Sequence, residues 1–188
     1  MSATLPSEVL EALEAQQIEL PSWAFGNAGT RFKVFSTPGT PRTPEEKISD
    51  AAQVHRVTGL APAVALHIPW DRVDDYAALS AYAVDHGLRI GTINSNTFQD
   101  DAYKFGSLTH VDKAVRQMAI DHHFECIDLM HQTGSRDLKI WLADGTNYPG
   151  QDDLRARQDR LAEGLATIYA ALAPHHDRAS LAALGLRV

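Results

Sequence analysis

The run Ala63-Val64-Ala65-Leu66-His67-Ile68, closed by Pro69, decides how the rest of the chain reads. Six residues without polar alternation, stopped by proline, suit a strand buried on both faces, as strands of a parallel sheet are. Upstream, Thr43-Pro44-Glu45-Glu46 is a capping box with proline at the first helical position, and the helix it opens ends near Gly59. Downstream, Asp71 to Asp75 opens another helix with acidic residues where the helix dipole favours them, and Gly87 terminates it. A helix on each side of a buried strand is what parallel pairing demands, because each crossover needs one.

The same alternation continues outward. Leu88 to Ile93 reads as a strand ending in Asn94-Ser95-Asn96. Asp112 to Thr133 is an amphipathic helix with Val115, Met118, His122, Cys126 and Met130 on one face. Leu138 to Leu142 is a further strand running into Ala143-Asp144-Gly145, and a last helix carries Leu154, Leu161, Leu165, Ile168 and Leu172 at helical spacing. Towards the N-terminus, Ser7 to Gln17 is a short helix with Val9, Leu10 and Leu13 on one side. Ser22 to Phe25 is the first strand, running into Gly26-Asn27-Ala28-Gly29. The fold class is therefore α/β: four strand–helix units preceded by an extra helix. A doubly wound open sheet is complete with that many strands, whereas a (β/α)8 barrel needs eight and about 250 residues. Polar or aromatic residues close four successive strands, which favours the barrel, since open sheets bind mainly at one crevice.

Composition narrows the function. The 188 residues are 44% hydrophobic and 22% charged, ordinary for a globular domain. A formal charge of −7 without a basic cluster argues against a nucleic-acid partner. No apolar run approaches the roughly 18–20 residues that span a bilayer, and the N-terminus lacks a secretory pattern. The single cysteine, Cys126, reads as a small core residue. These features together point to a cytoplasmic protein.

Chemistry is expected at the strand ends. His67 fits either a satisfied core histidine or a group that donates and accepts protons at a ligand. Trp70 and Trp141 fit either core filling or the apolar platform a sugar ring needs. Gly26 to Thr30 lacks the lysine of a P-loop and the dinucleotide fingerprint. His110, His122, His123, His175 and His176 show no metal-ligand spacing, so no metal ligand is assigned.

Five stretches carry a family resemblance: Ser22-Trp-Ala-Phe-Gly-Asn-Ala-Gly-Thr-Arg-Phe32, Leu66-His-Ile-Pro-Trp-Asp71, Ile93-Asn-Ser-Asn-Thr-Phe98, Tyr103-Lys-Phe-Gly-Ser-Leu108 and Trp141-Leu-Ala-Asp-Gly-Thr-Asn-Tyr-Pro-Gly-Gln151. In this order they resemble the L-rhamnose isomerase family, in the broad-specificity branch of Gram-positive bacteria and pseudomonads. The resemblance runs from about residue 20 to about 172. It implies a TIM barrel of the xylose-isomerase type, a homotetramer and divalent metal, commonly manganese (Mn2+). The implied reaction is an intramolecular oxidoreduction, aldose to ketose, in which hydrogen moves between C1 and C2. It implies that His67 contacts sugar hydroxyls or assists ring opening. By the same resemblance Trp141 packs against the substrate, Trp70 walls the pocket, and Phe32 lies on a loop able to cover a neighbouring subunit's site.

The resemblance fails at the end. Residues 1–173 read as the N-terminal half of the barrel, and 174–188 contain neither the glutamate nor the lysine of the family's fifth strand. The expectation is a truncated product with an out-of-frame tail, unable to bind the metals tightly and inactive alone. The alternative is a non-catalytic half-barrel that binds or assembles with another chain. Related barrels that epimerise sugars or cleave damaged DNA do not share the His-Ile-Pro-Trp or Asp-Gly-Thr-Asn stretches.

Overall fold

The computed structural model describes residues 6–27, 29, 33–145, 150 and 152–172. Its strands are β1 (Glu19–Pro21), β2 (Ala63–Ile68), β3 (Arg89–Ser95) and β4 (Asp137–Lys139). The helices are α1 (Ser7–Glu14), α2 (Pro44–Thr58), α3 (Tyr76–Asp85), α4 (Lys113–Thr133) and α5 (Leu154–Leu172). The sheet order β1-β2-β3-β4 follows the chain, and β1 pairs parallel to β2 with Glu19 opposite Ala63 and Pro21 opposite Ala65. The expected α/β alternation is present. Two compact units result, Met1–Thr92 with Gln132–Arg136, and Ile93–His131 with Asp137–Val188.

In the first unit the central strand is the expected one, residue for residue, and all six of its side chains are buried. The start of α2 is fixed by its capping box. Thr43 Oγ1 accepts from the Glu46 amide at 3.3 Å, and Glu46 Oε2 accepts from the Arg42 amide at 2.6 Å and the Thr43 amide at 3.3 Å. Those amides, Arg42's first, hold the Glu46 carboxyl below its usual pKa. Gly59 ends α2 with φ 70°, the left-handed conformation that glycine adopts without a Cβ penalty. Ile48 and Ala51 of α2, Val64, Leu66 and Ile68 of β2, and Leu79 and Ala83 of α3 form the core. Each large aliphatic there contributes about 1.5–3 kcal/mol of burial.

Three expectations in this unit are corrected. The first strand is Glu19–Pro21, and Ser22–Ala24 is a 3-10 turn. Glu19 belongs in the sheet because its carboxylate accepts from the Thr92 amide (2.5 Å) and hydroxyl (2.7 Å). Helix α1 stops at Glu14, and its apolar residues Val9, Leu10 and Leu13 are exposed. Helix α3 begins at Tyr76, with Asp75 as its N-cap accepting from the Ala78 amide at 2.8 Å. Asp71 is not a helix-start charge; it is completely buried.

In the second unit the buried stripe of α4 is Ala119, His123, Cys126, Ile127 and Met130. It includes Cys126 and Met130 as expected, but His123 takes the inward place assigned to His122. Ser95 Oγ lies 3.1 Å from His123 Nε2, while His122 Nε2 is drawn to the Asn96 amide. Strand β4 is shorter than expected and ends at Lys139. Leu142 and Trp141 are exposed, and the chain beyond them is committed to the Asp144 bonds described below. On α5 only Ile168 of the expected apolar face is buried, beside Gly164 and Arg157, and Leu154 is 59% exposed. Gly164 sits where a Cβ would come within 3.2 Å of Leu108 Cδ2, so α5 approaches Leu108 closely at that point.

Candidate functional site

At the end of β2, the first unit gathers three aromatic rings. His67 stacks on Trp70 with ring centroids 3.7 Å apart and planes 14° from parallel. Trp23 sets its edge against both, 5.4 Å from His67 and 6.3 Å from Trp70. His67 is 6% exposed, whereas Trp70 is 42% and Trp23 37% exposed, so the indole surfaces are open and the imidazole is recessed behind them. An apolar platform beside a proton donor and acceptor is suited to a polyol: indole faces meet C–H groups and imidazole nitrogens meet hydroxyls.

Beneath the rings lies a buried polar centre. Asp71 Oδ1 accepts from Lys47 Nζ at 2.6 Å, and Oδ2 accepts from the His67 amide at 2.7 Å and from the Ser22 hydroxyl. The Asp71 amide in turn donates to the His67 carbonyl at 2.8 Å. Both charged groups are withdrawn from water, the acid entirely. The sequence carried a signal for Lys47: Pro44, Lys47, Ile48 and Ala51 follow helical spacing and are all buried, so the lysine lies within an inward face.

In the second unit, Trp141 is 65% exposed and rests edge-on against Phe98, with centroids 4.9 Å apart. Asn96 folds into a turn by accepting from the Phe98 and Gln99 amides at 3.4 and 3.2 Å. Asp144 is an organiser of backbone. It accepts from the Ser107 amide and hydroxyl, both at 2.7 Å, and from the Thr109 amide and hydroxyl at 3.0 and 2.8 Å. Arg157 donates to the Asp144 carbonyl and to Asp152 at 3.0 Å. Together with Arg160, it holds the Asp152 carboxyl below its ordinary pKa. Gly106 closes this knot with φ 115°, and a Cβ there would lie 2.5 Å from Thr109 Oγ1. Gly106→Ala is expected to cost about 1–3 kcal/mol in chemical denaturation, from backbone strain and that contact.

Among the described residues, no group of three or more histidines, cysteines, aspartates and glutamates is placed to hold a metal ion. Three of the buried or half-buried donors are committed elsewhere: Asp71 to Lys47 and Ser22, Asp144 to Ser107 and Thr109, and His122 to Asn96 and Glu125. The described residues therefore do not fit the manganese centre that the resemblance implies. A cleft of about 660 Å³ lined by Thr37, Arg42, Glu46, Ser49 and Tyr82 involves none of the aromatic residues above. Of the expected site residues, His67 and Trp70 are brought together, Trp141 belongs to the second unit, and Phe32 lies outside the described residues.

No protein-family model matches the chain. A probable sugar isomerase of Rhizobium meliloti (strain 1021) is 42% identical over 163 residues, covering 84% of this chain and 38% of the relative. A second, from Mesorhizobium japonicum, is 39% identical over 165 residues, 85% of this chain and again 38% of the relative. The chain is a sequence relative of sugar isomerases. It spans about 38% of the length of these sugar isomerase relatives. Among solved structures, D-allulose 3-epimerase from Methylomonas sp. aligns with a TM-score of 0.58 at 16% identity, over 85% of this chain and 48% of that one. D-psicose 3-epimerase from Clostridium cellulolyticum H10 aligns at 0.56 with 11% identity, over 83% and 48%. A family 2 AP endonuclease from Brucella melitensis aligns at 0.51 with 17% identity, over 70% and 46%. These likenesses show the fold alone: strand–helix units of an α/β barrel architecture, covering about half of each neighbour. Among the described residues, no helix is long and apolar enough to cross a membrane.

Proposed function

We propose that this chain is the N-terminal part of a metal-dependent aldose–ketose isomerase of the L-rhamnose isomerase type, converting L-rhamnose to L-rhamnulose. The similarity to probable sugar isomerases supports the reaction class, and the five motif stretches support the L-rhamnose isomerase type. The observation that carries the site is the buried imidazole of His67 stacked on the ring of the partly exposed Trp70. His67 binds sugar hydroxyls and moves a proton at the ring oxygen or O1 as the pyranose opens, and Trp70 walls the sugar. Trp141 and Phe98 offer a second apolar surface of the same kind. Manganese belongs to the whole enzyme, which we place in the cytoplasm as a homotetramer. Among the described residues no donor set for that ion is present, and our reading is that the 188-residue chain binds sugar weakly and does not turn it over.

The test is direct. The purified chain is titrated with L-rhamnose while tryptophan fluorescence is followed, and is assayed for ketose formation with manganese present. Saturable binding is expected at millimolar sugar, weakened roughly tenfold by Trp70→Ala, the worth of one stacked aromatic surface. No ketose is expected. Manganese-dependent turnover would overturn the inactivity, and failure to bind any aldose would overturn the site.

The exposed apolar face of α1 (Val9, Leu10, Leu13) keeps a second reading in play, a non-catalytic half-barrel that associates with another chain. A stable, sugar-indifferent dimer in light scattering would favour it.

A further inference from the structure

We propose that Lys47, Asp71 and Ser22 are positioning residues that set the His67–Trp70 stack, although none of the three has an assigned role at a sugar. The inference deepens the site proposed above and rests on that reading for its functional meaning. Its geometry does not depend on it.

The polar centre and the aromatic cluster are interleaved along the chain. Ser22 precedes Trp23, and Trp70 precedes Asp71. His67 belongs to both, contributing its amide to Asp71 and its ring to Trp70. Asp71 bonds both backbone groups of His67, accepting from the amide at 2.7 Å and donating to the carbonyl at 2.8 Å. That reciprocal pair closes the segment 67–71, and the closure returns the Trp70 ring over the imidazole. Lys47 reaches Asp71 from α2 at 2.6 Å, and Ser22 reaches it from the turn after β1. The carboxylate is thereby fixed to two further elements, one of which carries Trp23. Asp71 is completely buried and Lys47 is 8% exposed, so neither presents its charge to a ligand. Their effect on a sugar passes through the rings.

The arrangement makes a distinction that simple stabilisation does not. If the centre only holds the fold together, variants that remain folded keep the stack. If it positions the rings, folded variants lose it. Proton NMR of the full 188-residue chain reads this through the His67 ring protons, which the Trp70 face shifts upfield. Assignment uses His67→Gln and Trp70→Phe.

In Lys47→Met and in Ser22→Ala, the latter removing one neutral donor only, most of the upfield displacement is expected to vanish in the folded population, as judged by circular dichroism. Combining Lys47→Met with Asp71→Asn, which removes both charges and keeps an acceptor, is expected to restore part of it. An unchanged His67 shift in folded Ser22→Ala, with only a lowered melting temperature, would overturn the proposal. If Lys47→Met does not fold, Ser22→Ala alone decides. L-Rhamnose titration of the same samples separates the two readings. A displaced ring shift without sugar binding in any sample, wild type included, keeps the positioning role and removes the sugar site. Binding that is unaffected by a lost stack keeps the positioning of the rings and removes its bearing on the sugar.

Discussion

Asp71→Ala is expected to remove about 3–5 kcal/mol of unfolding free energy, the cost of leaving a buried charge without its partner. The orphan is the Lys47 ammonium, 2.6 Å from the carboxylate and 8% exposed. The Ser22 hydroxyl and the His67 amide lose their acceptor at the same time. A domain holds about 5–15 kcal/mol in total, so the variant is expected to be partly unfolded at 37 °C. Urea denaturation followed by circular dichroism measures the loss. Asp71→Leu combined with Lys47→Met is the informative companion. It removes both charges, and desolvation then no longer opposes folding, so part of the loss is expected to return. Complete recovery is not expected, because the Ser22 hydroxyl and the His67 amide do not regain the carboxylate acceptor, and a lost buried hydrogen bond costs about 1–3 kcal/mol. A loss below about 1 kcal/mol for Asp71→Ala would mean that water reaches the pair and that it behaves as a surface bridge.

The elements legible in the sequence are those whose cause is local. Ala63–Ile68 is continuous apolar chain against proline, and it is a buried strand over those same residues. Thr43 to Glu46 holds its capping bonds within four residues, and Gly59 and Gly87 take the left-handed φ that ends a helix. The misreadings have distant causes. Glu19 looks unsuited to a strand until Thr92 supplies its partners, 73 residues away. Asp71 looks like a helix-start acid because Asp74 and Asp75 follow it, but its partners are 24 and 49 residues upstream. The site was partly legible for the same reason. His67 and Trp70 are neighbours in the chain and in space, whereas Trp23 joins them only through the register of β1 on β2. Asp144 follows the last expected strand, where the sequence shows no partner for it, and its oxygens are spent on the loop from Ser107 to Thr109. On α4, periodicity selects a face that includes Cys126 and Met130 but cannot rank two adjacent histidines. The hydroxyl of Ser95 and the amide of Asn96 do that.

That ranking has a consequence in pH. His123 is fully buried, and burial is the main cause that pushes its pKa from 6.5 down to about 4, the neighbouring His122 adding to the effect. The bond to the Ala119 carbonyl and the charge of Asp144 oppose the shift without cancelling it. Nδ1 donates to the Ala119 carbonyl at 2.6 Å, which leaves Nε2 as an acceptor for the Ser95 hydroxyl at 3.1 Å. The folded state thus holds this ring neutral where the unfolded chain would protonate it. Between about pH 6.5 and 4 the unfolded state binds more protons, so stability falls as the pH falls through that window and is complete above it. The shift corresponds to about 3 kcal/mol at its lower end. Urea midpoints of the wild type and His123→Gln, measured from pH 7.5 to 4, isolate this from the carboxylates common to both. The wild type is expected to lose about 3 kcal/mol more than the variant across the window. Parallel curves would mean that the protonated ring is accommodated. Nε2–H would then donate to Ser95 Oγ, whose own hydrogen would turn to the Lys139 carbonyl, 3.4 Å away.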